Sequence, residues 1–343
     1  MAIDIFNSKT APEKQHLIYK MLMEDRFKPE QEVLKHWADG FEDRDGKFII
    51  EFQTTFESSF WELYLYAVLK ELGCTTDMQY HTPDFVVEGP FPFGLEAAIA
   101  RPEEKTGKPA FGYSREDLPD DFTDFNIQST LRICNSFDSK IKRYRNYYSN
   151  LPHMQHRPYI IAIASFDRPA AHLASTRPIL AALYGLYHDE AATNINDESV
   201  VSYNVYSAPK TEKTNIPVGL FCDNSYPEVS AVIYSCLATW GKVRALADNP
   251  DAQTTYTTFH PNENSITPTI KRTLKINYTE HLMDGLFILH NPYATNPIPK
   301  GVLSHPRVCE INVAPDGELL IDSPEDFLLI RMLNSSYTKK TKE

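Results

Sequence analysis

Residues 56–100 read FESSFWELYLYAVLKELGCTTDMQYHTPDFVVEGPFPFGLEAAIA, and this stretch decides the fold. Its first part, 56–72, predicts a helix that starts at Ser58 or Ser59 and stops at Gly73, the common left-handed terminator. The helix is apolar almost all round, from Phe60, Trp61 and Leu63 to Leu69 and Leu72. A helix of that kind is buried on most sides. A narrow polar strip remains, made of Ser59, Glu62, Tyr66 and Lys70. Three short strands are expected next, at 76–81, 84–88 and 94–100, separated by turns at Thr82-Pro83 and Gly89-Pro90. Further on, 126–150 predicts a second long helix with Ile133 or Cys134, Phe137, Ile141, Tyr144 and Tyr148 along its buried seam. Residues 158–166, PYIIAIASF, then read as a buried strand. The order helix, three strands, helix, strand places the chain in the α/β class.

Asp84 opens the second strand directly after Pro83, and Glu96 lies inside the otherwise apolar third strand. On an antiparallel pair the two carboxylates can project side by side at one edge of the sheet. Two adjacent ionised carboxylates repel, and burying either alone is costly. A divalent cation resolves both difficulties, and Mg²⁺ commonly takes one or two carboxylates together with water and substrate phosphates. The plainer alternative has Asp84 starting a turn and Glu96 facing solvent.

With WELYLYAVLKELG, then PDF, then GLEAAIA, then a lysine-bearing helix and a buried strand, the chain resembles the restriction-endonuclease-like PD-(D/E)XK nucleases over roughly residues 56–166. That resemblance implies an αβββαβ core and hydrolysis of phosphodiester bonds in DNA with Mg²⁺ (or Mn²⁺). It implies Asp84 and Glu96 as metal ligands, with the main-chain carbonyl of Ala97 as a third and Glu62 on the preceding helix as an outer or additional ligand. One position departs from the pattern. Where the family carries Glu-x-Lys, this strand has Ala98 in the lysine's place. A cation from elsewhere must then serve, and Lys140 and Lys142 on the second helix are the candidates. Lys140, next to the seam at Ile141, is favoured. Lys142, Arg143 and Arg145 sit among tyrosines, a mixture suited to phosphate contacts and base stacking on a nucleic acid. The alternative is a solvated basic helix face. Partners expected on this reading are DNA and a second copy in a homodimer, with no membrane.

Outward from this core, residues 1–55 predict a helical extension, with a helix at 25–38 and a hairpin about Asp45-Gly46 in FEDRDGKFIIEFQ. Residues 101–125 are polar and rich in Pro, Gly, Asp and Glu; loops of that length are commonly functional or disordered. After residue 170 the chain predicts a helix at 178–188 and strands at 200–207, 219–222, 229–237 and 286–290. A hairpin follows about Pro315-Asp316-Gly317, and the sequence leaves open whether these strands extend the first sheet or build a second lobe. The expected segments are thus 1–55, a core at 56–170, a β-rich region at 171–335 and a charged tail at 336–343.

The whole chain has 343 residues, 42% hydrophobic, and a net charge of −12. A core of that size needs no covalent staples, and the charge excludes a uniformly basic nucleic-acid coat. Five widely spaced cysteines (Cys74, Cys134, Cys222, Cys236, Cys309) contain no C-x-x-C pair. This suits a reducing compartment. With no secretory pattern at the N-terminus and no apolar run of bilayer length, a cytoplasmic location is expected. Phosphate-loop, dinucleotide-fold and nucleophile-elbow motifs are missing. The competing function class is a nuclease-fold binding or subunit protein that has lost its chemistry, which Ala98 and the net charge both favour.

Overall fold

The computed structural model describes residues 3–196, 198–211 and 213–337. The segment expected as a charged tail lies, from residue 338 on, outside the described residues. The helices are α1 (Leu17–Leu22), α2 (Lys28–Ala38), α3 (Phe48–Thr54), α4 (Glu57–Glu71), α5 (Phe122–Asn146), α6 (Arg177–Tyr184) and α7 (Trp240–Leu246). The strands are β1 (Thr75–Thr76), β2 (Phe85–Gly89), β3 (Phe93–Ala100), β4 (Tyr159–Ser165), β5 (Leu186–His188), β6 (Ser202–Asn204), β7 (Ser207–Thr211) and β8 (Thr214–Pro217). They continue with β9 (Val229–Ser235), β10 (Ala252–His260), β11 (Thr269–Leu274), β12 (Phe287–His290), β13 (Cys309–Val313), β14 (Leu319–Asp322) and β15 (Ile330–Tyr337).

One mixed sheet of eight strands, ordered β1-β2-β3-β4-β9-β12-β13-β14, organises the α/β fold. Its centre, β3-β4-β9, is parallel, and β2 pairs antiparallel with β3. Parallel strands buried on both faces read as continuous apolar runs, and β4 and β9 are buried at every position. Leu95, Ile160, Ala162 and Ile233 face a layer made by α4 and the N-terminal helices, whereas Ala98, Ile161, Ile163 and Val232 face α5 and α6. Trp61 anchors α4 to the sheet centre by donating its indole N–H to the Ala162 carbonyl at 3.0 Å.

The question left open by the sequence is decided by β9, β12, β13 and β14, which continue the first sheet past residue 170. Strands β10, β11 and β15 form a separate three-stranded sheet. Four local expectations are corrected. The hairpin about Asp45-Gly46 is instead the entrance to α3: Asp43 accepts the Phe48 N–H and Asp45 the Lys47 N–H. Phe48, Ile49 and Phe52 then bury at helical spacing. α4 starts at Glu57 with no side-chain cap, and Ser59 is buried inside it. The strand expected at 76–81 shrinks to β1, because Asp77 turns the chain by accepting the Gln79 N–H. Residues 219–222 are a turn rather than a strand. Gly219 has φ +75°, and residues 219–221 direct their N–H groups to the Ala182 and Leu183 carbonyls at the end of α6. Among the described residues no helix is long and apolar enough to cross a membrane.

Candidate metal and active site

Register places the two carboxylates. Phe85 pairs with Leu95 across β2 and β3, so the residue before Phe85 comes opposite the residue after Leu95. Asp84 and Glu96 therefore meet on the face covered by α5. Glu96 is wholly buried, and both of its oxygens are engaged. Oε1 receives Lys140 Nζ at 2.7 Å and lies 3.5 Å from an Arg143 guanidinium nitrogen. Oε2 accepts the Tyr148 hydroxyl at 2.9 Å and faces the Asp84 N–H at 3.4 Å. A buried carboxylate without such partners would be strongly unfavourable; here two cations and a phenol supply them. Burial, and then the Glu96 charge, raise the Tyr148 phenol above its ordinary range, so it remains a donor.

Asp84 is half-buried, and its Oδ2 accepts the Ala97 N–H at 2.7 Å. Burial, followed by the Glu96 charge, lifts its pKa to about 6 against the relief given by Lys140. Glu62 approaches from α4. It too is pushed well above the usual carboxylate range by burial and then by Asp84. Arg44, in the turn before α3, offsets part of this from 3.4 Å. The same guanidinium donates to the Tyr80 carbonyl at 2.7 Å, so it also holds the loop leading into Asp84. Two carboxylates raised by desolvation and by a neighbouring carboxylate charge are the donor pattern that a divalent cation relieves.

A cavity of about 1240 Å³ opens between α4 and α5 at this edge of the sheet. Glu62, Asp84, Ala97, Ala98 and Lys140 line it, whereas Glu96 stands behind its wall. Among the described residues, Glu62, Asp84 and Glu96 do not bring one ligand oxygen each within 4.8 Å of one another. The oxygens open to an ion from the cavity are thus those of Asp84 and Glu62. The residues fit a hard cation with oxygen ligands, centred on Asp84 and Glu62.

The residues singled out on the second helix separate into two groups. Lys140 and Arg143, three positions apart on one face, turn toward Glu96. Lys142 pairs with Asp138 on the exposed side, and Arg145 is held by Glu228 and donates to the Ser225 carbonyl. None of Lys142, Arg143 and Arg145 lines the cavity; Arg101, Lys105, Arg132 and Lys210 do. Arg101, Lys105 and Lys210 make no ion pair among the described residues. Sequence reading missed these four as well as Arg44. The long polar segment 101–125 was the one available signal, since its start forms part of the cavity wall. Searches of family models, curated proteins and solved structures find no match to this chain.

Proposed function

We propose that the chain is a metal-dependent nuclease of the PD-(D/E)XK type, acting on phosphodiester bonds in DNA, in which Lys140 replaces the strand lysine lost at Ala98. The observation that carries this reading is the approach of the Lys140 ammonium to within 2.7 Å of Glu96, beside Asp84 at the cavity wall. Asp84 and Glu62 would hold the Mg²⁺ or Mn²⁺ ion. When bound, such an ion polarises the phosphate and lowers the pKa of water at the reacting centre. Glu96 orients the Lys140 side chain, and Tyr148 fixes the opposite oxygen of Glu96. The ammonium can then stabilise negative charge on a phosphate, or hold a water, at the cavity edge. Arg101, Lys105, Arg132 and Lys210 supply phosphate contacts along the same opening.

The test is incubation of supercoiled and linear DNA with Mg²⁺ or Mn²⁺. Wild type is expected to cleave both, Lys140→Met to be slower by about 10²–10⁴-fold, and Glu62→Gln to require more metal. Equal background cleavage by all three proteins would overturn the reading. Because a proton competes for Asp84, Mn²⁺ affinity measured by calorimetry is expected to fall as pH drops below about 6 and to level off above it. The second reading, a non-catalytic scaffold, is favoured by one observation: both oxygens of Glu96 are already taken. A folded protein that takes up no Mn²⁺ at neutral pH would support that scaffold.

A further inference from the structure

At the opposite end of α4 from the cavity, Glu71, His281 and His305 present one ligand atom each, all within 4.8 Å of one another. Glu71 lies nine residues beyond Glu62, about 13 Å along the helix axis, so this cluster is separate from the site described above. We infer that it is a second metal site, of the His₂Glu type, that takes Zn²⁺ and ties the end of α4 to the loops entering β12 and β13.

The donor set decides the kind of ion. Two imidazoles and one carboxylate suit Zn²⁺, with a fourth position left for water. Mg²⁺ and Ca²⁺ prefer oxygen ligands and are disfavoured here. The surroundings hold the donors in place. The two rings lie nearly parallel, with centroids 5.1 Å apart, and His281 Nε2 is 3.4 Å from a Glu71 oxygen. Asp284 accepts the His281 N–H at 2.8 Å and the Arg307 Nε–H at 2.6 Å, which fastens the two histidine loops to each other. Lys242 donates to the His281 carbonyl at 3.0 Å.

Each imidazole Nδ1 receives a backbone N–H two residues on, from Met283 and from Arg307, at 3.2 Å. Coordination through Nε2 moves the ring proton to Nδ1 and exchanges these long local contacts for two coordinate bonds. An ion bonded to three donors at about 2.1 Å draws them to about 3.4 Å apart in a tetrahedral arrangement. Glu71 is exposed and can supply that movement.

The experiment uses chelator-stripped full-length protein carrying Asp84→Asn, which removes the other candidate ligand set, and reads Zn²⁺ binding by calorimetry and by melting temperature. One Zn²⁺ per chain is expected, with a rise of about 4 °C in melting temperature at zinc about 100-fold above Kd. His305→Asn and His281→Asn keep a side-chain acceptor for the turn but lose the distal nitrogen. Each should weaken Zn²⁺ at least about tenfold. Glu71→Gln, on an exposed side chain, tests the same point without risk to folding. Zn²⁺ bound as tightly by Glu71→Gln and His305→Asn as by the parent, or no Zn²⁺ bound by the folded parent, would overturn the inference. Loss of the nuclease reading would leave this result untouched, since no DNA is involved.

Discussion

Asp84→Asn is expected to abolish divalent-cation-dependent cleavage and, in metal-free protein, to raise the melting temperature. Both effects come from the same juxtaposition. Asp84 stands beside Glu96 and Glu62, and burial with the Glu96 charge holds its proton up to about pH 6, against 3.8 for the ordinary carboxyl. Between those values the unfolded chain has released a proton that the folded chain retains. Stability of the metal-free protein therefore falls as pH rises through that window, and the full penalty stands above about pH 6. Asparagine removes the charge while its side-chain oxygen can still accept the Ala97 N–H that Asp84 Oδ2 accepts now. Denaturant titration at pH 7 should find the variant more stable by on the order of 2 kcal/mol, with the difference fading near pH 4. Saturating Mn²⁺ should reverse the ranking, because only the wild type gains ligand-linked stability. Cleavage should drop by about 10³-fold or more, since several kcal/mol of charge stabilisation leave with the ligand. A variant no more stable than wild type at pH 7 without metal would show that the carboxylates do not repel as placed.

Glu280→Ala is expected to be the most destabilising single change at any site away from the cavity. Glu280 is buried, and so are the two cations that share its Oε1, Lys242 and Arg331. Its other oxygen accepts the Tyr278 hydroxyl at 2.5 Å. Lys242 also donates to the His281 and Asp284 carbonyls, and Arg331 to the Leu237 carbonyl at 2.7 Å. The network therefore joins α7, β15 and the loop before β12. Removing its one carboxylate leaves two buried positive charges with carbonyl partners only. Breaking a buried ion pair from one side costs about 3–5 kcal/mol, which chemical denaturation would read directly. Replacing all three charged groups with apolar ones of similar volume (Lys242→Met, Glu280→Leu and Arg331→Met together) should recover most of that loss, because the desolvation penalty leaves with the charges. A loss below about 1 kcal/mol for Glu280→Ala would mean that water reaches the network and screens it.

The α/β class, α4, β3, β4 and the pairing of Asp84 with Glu96 were legible because each rests on a local pattern. Apolar periodicity, Gly73 after the helix and a carboxylate inside an apolar strand are features of a few consecutive residues. The preference for Lys140 over Lys142 as the cation nearer the carboxylates was local too, since Lys140 lies three residues after Phe137 and four before Tyr144 on the seam, whereas Lys142 falls in line with the half-exposed Asp138. Where the local reading failed, another interaction competed for the same residues. Alternation in FEDRDGKFIIEFQ suggested a hairpin, but Asp43 and Asp45 turn the chain into α3, whose Phe48, Ile49 and Phe52 pack into the aromatic core.

Contacts between distant parts of the chain had no signature in the sequence. Arg44 reaches Glu62 across 18 positions and Tyr148 reaches Glu96 across 52. The sharing of Glu280 by Lys242 and Arg331 and the meeting of Glu71 with His281 and His305 belong to the same kind. By itself the sequence determined the core elements with strong local patterns, such as α4, α5, β3 and β4, since periodicity acts over one or two turns of chain. Only the tertiary structure decided that Glu96 is enclosed while Asp84 and Glu62 face the cavity, because charge pairing and desolvation depend on distances in space that chain separation does not encode.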